Sequence, residues 1–198
     1  MAAAPAVAWL LMLPGWMNRI LAFVVFFLAA VSDLWDGHLA RRRGEITEFG
    51  TIADPIADKL LLVCALIPVY LVLDAHAESL PLPVFGSVPV WAVAVVIGRE
   101  ALITALRILA KRRGAVVSAR DSGKRKAVAQ NIFLGLAILW AAFGSRDFVP
   151  PAGQYWDTLS RIHAWSISAM LFLTVVVTTV SAAFYANSFI RVFGGTRR

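Results

Sequence analysis

Between Asp33 and Asp58 the chain reads DLWDGHLARRRGEITEFGTIADPIAD. The acids fall in two pairs: Asp33 and Asp36 are three apart, Asp54 and Asp58 four apart, and either spacing puts both carboxylates on one helix face. A polar turn bracketed by Gly44 and Gly50 separates the pairs and predicts antiparallel neighbouring helices, from which four carboxylates can converge. Like charges at that density repel unless cations sit among them, and hard divalent cations take oxygen ligands of this kind. Two such ions about 4 Å apart stabilise the attacking and leaving oxygens of a displacement at phosphorus.

The residues between the acids suit the same chemistry. Gly37, Ala40 and Gly50 leave room for a substrate or a neighbouring helix, and Arg41 presents a fork of donors to a phosphate. The plainer alternatives are helix packing by the small residues and salt bridges from the acids to Arg41, Arg42, Arg43 and Lys59.

The elements that must position these groups are apolar. Of 198 residues, 60% are hydrophobic and 16% charged, and the mean hydropathy is +0.74, beyond the range of an ordinary soluble domain. Apolar segments at about 6–14, 18–40, 51–74, 88–110, 126–144 and 161–187 predict an all-α, polytopic membrane bundle of about six helices in a single domain, 1–198, with a short first helix. The net charge of +7 concentrates in alternate loops. Arg41 to Arg43, the run from Lys111 to Lys126, and the tail with Arg191, Arg197 and Arg198 share one side, which places both termini and the acids in the cytoplasm. That distribution makes the charge a topology signal with a secondary use at anionic lipid, and argues against nucleic acid as a partner.

The stretch from Asp33 to Asp58 also resembles a known signature. It matches all eight fixed positions of the CDP-alcohol phosphatidyltransferase family, integral membrane enzymes that join a CDP-linked lipid to an alcohol and release CMP. The resemblance implies that Asp33, Asp36, Asp54 and Asp58 hold two divalent cations, Mg²⁺ or Mn²⁺, and that Asp58 is the general base for the incoming hydroxyl. It further implies that Gly37, Ala40, Arg41 and Gly50 line the site for CDP. It also implies a homodimer in the bacterial inner membrane with its active site facing the cytoplasm. One departure lies at the start, where only AAAPAVAWLLMLPG precedes the second helix in place of the family's amphipathic opening and full first span.

For the acceptor alcohol, the segment from Gly98 to Asn131 resembles the matching region of bacterial phosphatidylglycerophosphate synthases, through Arg99-Glu100, Thr104-Ala105-Leu106-Arg107, Gly123-Lys124-Arg125-Lys126 and Gln130. This implies transfer from CDP-diacylglycerol to glycerol 3-phosphate, with Arg99, Arg107, Lys124 and Lys126 as an acceptor-phosphate site. A dianionic acceptor needs basic residues beyond those neutralised by the acids. Arg99 and Arg107 are offset by about 80° on one helix, so both can face one cavity. The alternative for them is an intramembrane pair with Glu100, to which Arg107 is nearly aligned; for Lys124 and Lys126 it is a topology role. Other acceptors within the family would give a cardiolipin, phosphatidylserine or inositol-lipid synthase, and a metal transporter is the rival from another class. His38, His76, His163 and the lone Cys64 read as packing residues, and the seven Trp as interface anchors.

Overall fold

A computed structural model describes the backbone of residues 3–43, 48–78, 81–112, 122–151 and 153–194; the side chains of 33–43, 48–58, 111, 122–125, 192 and 194 lie outside the description. Among the described residues the chain forms six helices, α1 (Ala3–Met12), α2 (Trp16–Arg43), α3 (Glu48–Ala75), α4 (Val90–Arg112), α5 (Ser122–Phe143) and α6 (Gln154–Gly194). The only extended pairing there is an isolated bridge between Leu82 and Gly86. The all-α expectation is met, with a short first helix.

Two of the helices, over Lys126–Phe143 and Gln154–Arg191, are long and apolar enough to cross a membrane. These are spans found among the described residues, fewer than the six expected; α4 does not qualify because it carries Arg99, Glu100 and Arg107 in its interior. Every helix nonetheless exposes large apolar side chains, among them Trp9, Phe27, Leu71, Leu102, Ile132 and Phe172. Helices apolar on both faces suit a lipid environment rather than water.

The chain forms two compact units, one from Met1–Val88 with Leu134–Ser168, the other from Pro89–Phe133 with Ala169–Arg198. In the first, α1 buries Ala4, Val7 and Leu11, spaced along one face, and packs on α2 and α3. Among the described residues, those buried in α2, Arg19, Ala22, Phe26 and Ala30, and in α3, Leu62, Ala65, Leu66, Pro68, Val69, Val72 and Leu73, follow the same helical spacing.

The start of α2 is fixed from far along the chain. Gly15 adopts φ 101°, a conformation that favours glycine, and the backbone N–H of Trp16 then donates to both carboxylate oxygens of Asp147, at 3.0 and 3.2 Å. One turn on, buried Arg19 donates to the Ala141 carbonyl at 2.6 Å and to the Ser145 hydroxyl at 3.0 Å, tying α2 to the last turn of α5. Phe143, Phe148, Trp156 and His163 cluster around this junction with ring centroids 5.2 to 5.7 Å apart. His163 also stacks on Trp140 and pairs its Nε2 with the Leu136 carbonyl, while His76 pairs with the Val72 carbonyl, so both are packing residues as expected.

The last helix begins earlier than its hydropathy predicted, at Gln154 rather than near 161, because its first turns are polar. Gly153, with φ 127°, sets the turn before it, and Asp157 in the first turn complements the helix dipole.

Candidate active site

The acidic signature falls on two helices. Asp33, Asp36, Gly37, Ala40 and Arg41 all lie on α2 near its end, and at 100° per residue they share an arc of about 140°. Gly50, Asp54 and Asp58 lie at the start of α3, spaced by four, within an arc of about 80°. The helical backbone therefore carries each acid pair on one face, together with the small residues and Arg41. Side-chain positions for these residues, and for His38, lie outside the described residues. No group of metal-ligating side chains occurs among those that are described. The donor set itself, four carboxylates at helical spacing on two helices, fits hard divalent cations.

The basic residues lie in the second unit, where side chains are described in detail. The buried stripe of α4 runs through Ala92, Val96, Ile103 and Ala110 at intervals of four, seven and seven, and Arg99 falls on that stripe. From there Arg99 donates through Nη1 to Glu100 Oε1 at 2.9 Å and through Nη2 to Ser181 Oγ on α6 at 2.7 Å. Lys126, buried in the second turn of α5, donates to the same Glu100 oxygen. Arg107, two turns beyond Arg99, is exposed and lies over the Tyr185 ring of α6, 5.8 Å from its centroid. Lys124 is on α5, with its side chain outside the described residues.

The alternative of an intramembrane pair with Glu100 is met by Arg99 and not by Arg107: Glu100 pairs with Arg99 and with Lys126 of α5, while Arg107 lies on an aromatic face. Arg99 and Arg107 do reach a common element, since Ser181 and Tyr185 are one turn apart on α6.

Those α6 residues escaped the reading of the sequence. Thr174, Thr178, Ser181 and Tyr185 are all buried, and they repeat at intervals of four, three and four along an apolar helix. That recurrence of polar residues was the available signal. Most exposed Ser and Thr of α6, such as Thr158, Ser166, Thr179 and Ser188, donate to the carbonyl four residues back. The hydroxyls of Thr174, Thr178 and Tyr185 instead have no partner among the described residues, and the same is true of Nε2 of buried Gln130 on α5. The buried faces of this unit are thus polar as well as charged.

The model of the family described as CDP-alcohol phosphatidyltransferase matches residues 1–180, and the chain belongs to that family. Several curated bacterial proteins are similar to it over most of their length. One from Mycobacterium tuberculosis (strain ATCC 25618 / H37Rv), named probable phosphatidylglycerophosphate synthase, is 31% identical over 180 residues, which cover 91% of this chain and 71% of the relative. The CDP-diacylglycerol--glycerol-3-phosphate 3-phosphatidyltransferase of Escherichia coli (strain K12) is 33% identical over 86% of this chain and 82% of its own. The protein of the same name from Bacillus subtilis (strain 168) is 37% identical over 59% of this chain and 53% of its own. Family membership makes the chain a phosphatidyltransferase and sets the transporter alternative aside.

Proposed function

We propose that this enzyme transfers the phosphatidyl group of CDP-diacylglycerol to glycerol 3-phosphate, giving phosphatidylglycerophosphate and CMP. The observation that carries the acceptor is the grouping of Arg99, Arg107 and Lys126 within one unit of an otherwise apolar chain, which suits a dianionic alcohol. Similarity to relatives named for that reaction, over most of the chain, supports the same reading.

Asp33, Asp36, Asp54 and Asp58 would hold two divalent cations, Mg²⁺ or Mn²⁺, which when bound supply charge neutralisation at the CDP diphosphate. Gly37, Ala40 and Gly50 admit the nucleotide close to the helix backbones, and Arg41 forks to its phosphate. Asp58 accepts the proton of the glycerol 3-phosphate 1-hydroxyl. The oxygen so freed bonds to the phosphatidyl phosphorus, the bond from that phosphorus to CMP breaks, and no covalent enzyme intermediate forms. Arg99, Arg107, Lys124 and Lys126 bind the acceptor phosphate and orient the hydroxyl.

The chain acts as one membrane domain, 1–198, of about six spans, as a homodimer in the bacterial inner membrane, with both termini and the acids on the cytoplasmic side. Alternation of the basic loops supports that orientation. With Cys64 replaced by Ser, an impermeant maleimide applied to intact spheroplasts should label Glu78→Cys and leave Arg112→Cys untouched; the reverse pattern would invert the topology. For the reaction, purified protein is given CDP-diacylglycerol with a panel of labelled alcohols: glycerol 3-phosphate, phosphatidylglycerol, serine and inositol phosphate. Phosphatidylglycerophosphate should be the dominant lipid product, and a different dominant product overturns the acceptor.

A further inference from the structure

Arg99 and Lys126 come from different helices yet share one carboxylate oxygen, Oε1 of Glu100. All three side chains are nearly enclosed, with Arg99 and Lys126 9% exposed and Glu100 14%. Arg99 is held on its other side by Ser181, while its Nε is buried without a partner among the described residues. Two cations this close repel strongly where water is scarce, and a carboxylate between them both offsets the repulsion and fixes their separation. Among the described residues the group also keeps an unpaired donor, Nε of Arg99. A phosphate arriving there would meet donors already held in place, so little ordering of long side chains would be lost on binding.

We propose that Glu100 is a positioning residue for the acceptor phosphate: it sets the spacing of Arg99 and Lys126, with Ser181 as a second support on Arg99. This rests on the acceptor reading given above. An ion pair serving stability alone would leave the affinity for one substrate no more sensitive than that for the other. A positioning role makes a narrower demand, because only the phosphate-bearing acceptor should sense the loss of Glu100.

The test uses full-length protein in detergent with both substrates varied. Glu100→Gln, which keeps the shape and removes the charge, should raise KM for glycerol 3-phosphate by about 10-fold or more, as loss of a supporting residue commonly does. The KM for CDP-diacylglycerol and kcat should stay within about 2-fold of wild type. Inorganic phosphate, competing with glycerol 3-phosphate, should lose inhibition in parallel, and Glu100→Asp should restore part of both losses by returning the charge. An unchanged KM for glycerol 3-phosphate, or equal rises for both substrates, overturns the proposal. Should Glu100→Gln fail to fold, Ser181→Ala decides: a rise of about 3-fold confined to glycerol 3-phosphate supports the clamp, and no rise overturns it. Wild-type protein that releases no CMP with glycerol 3-phosphate overturns the acceptor reading and the clamp together, whereas an active wild type with unmoved variants overturns the clamp alone.

Discussion

The guanidinium of Arg107 lies over the ring of Tyr185, 5.8 Å from its centroid, which joins a basic residue of α4 to the polar stripe of α6. A cation on an aromatic face is steered without being neutralised, so Arg107 keeps its donors for an anion while Arg99 and Lys126 share theirs with Glu100. Replacing Arg107 by Ala should raise KM for glycerol 3-phosphate by about 10- to 100-fold, and Arg107→Lys should recover only part of that, since an ammonium lacks the planar fork. Tyr185→Leu removes the aromatic face alone and should cost about 2- to 5-fold. Steady-state kinetics with each substrate varied checks all three, and an Arg107→Ala enzyme with unaltered acceptor KM would remove Arg107 from the acceptor site.

Asp58 lies one helical turn after Asp54 on α3 and is the proposed general base. Asp58→Asn should lower CMP release by about 10² to 10⁴, the usual contribution of a positioned base. Nucleotide binding, followed by equilibrium titration with a labelled CDP-lipid, should persist. An Asn variant with near-normal turnover would sink the assignment.

Chelation tests the acid cluster as a whole. Four carboxylates at helical spacing repel one another without cations, so excess EDTA should abolish activity and added Mg²⁺ or Mn²⁺ should restore it. Full activity in excess EDTA would count against a metal role. Single Asp33→Asn and Asp54→Asn variants should need higher metal concentration for half-maximal rate.

Gly15 and Asp147 form a structural latch remote in sequence from the acids. A Cβ at Gly15 would lie 3.2 Å from Asp147 Oδ2 and would sit on a backbone with φ 101°, so Gly15→Ala is expected to cost about 1–3 kcal/mol. Asp147→Asn weakens the charge-assisted bond to the Trp16 N–H and should cost about 0.5–1 kcal/mol, screened by its exposure. Thermal unfolding in detergent should show the larger drop in midpoint for Gly15→Ala. Equal midpoints for wild type and both variants would show that the junction does not limit stability.

Read in order, the residues from Asp33 to Asp58 were enough to define the family and to suggest the proposed donor set, because helix periodicity depends only on spacing along the chain. The six helices were legible for a similar reason, since each coincides with an apolar segment of the chain. The charges inside α4 were harder, since which cation a buried carboxylate pairs with depends on what other helices bring to it. Alignment within α4 pointed Glu100 at Arg107, and only the packing of α5 and α6 decided that Lys126 and Arg99 share its oxygen, that Ser181 supports Arg99, and that Arg107 rests on Tyr185. The latch between Trp16 and Asp147, 131 residues apart, was likewise invisible in sequence, because hydrogen bonds between distant segments have no period to read.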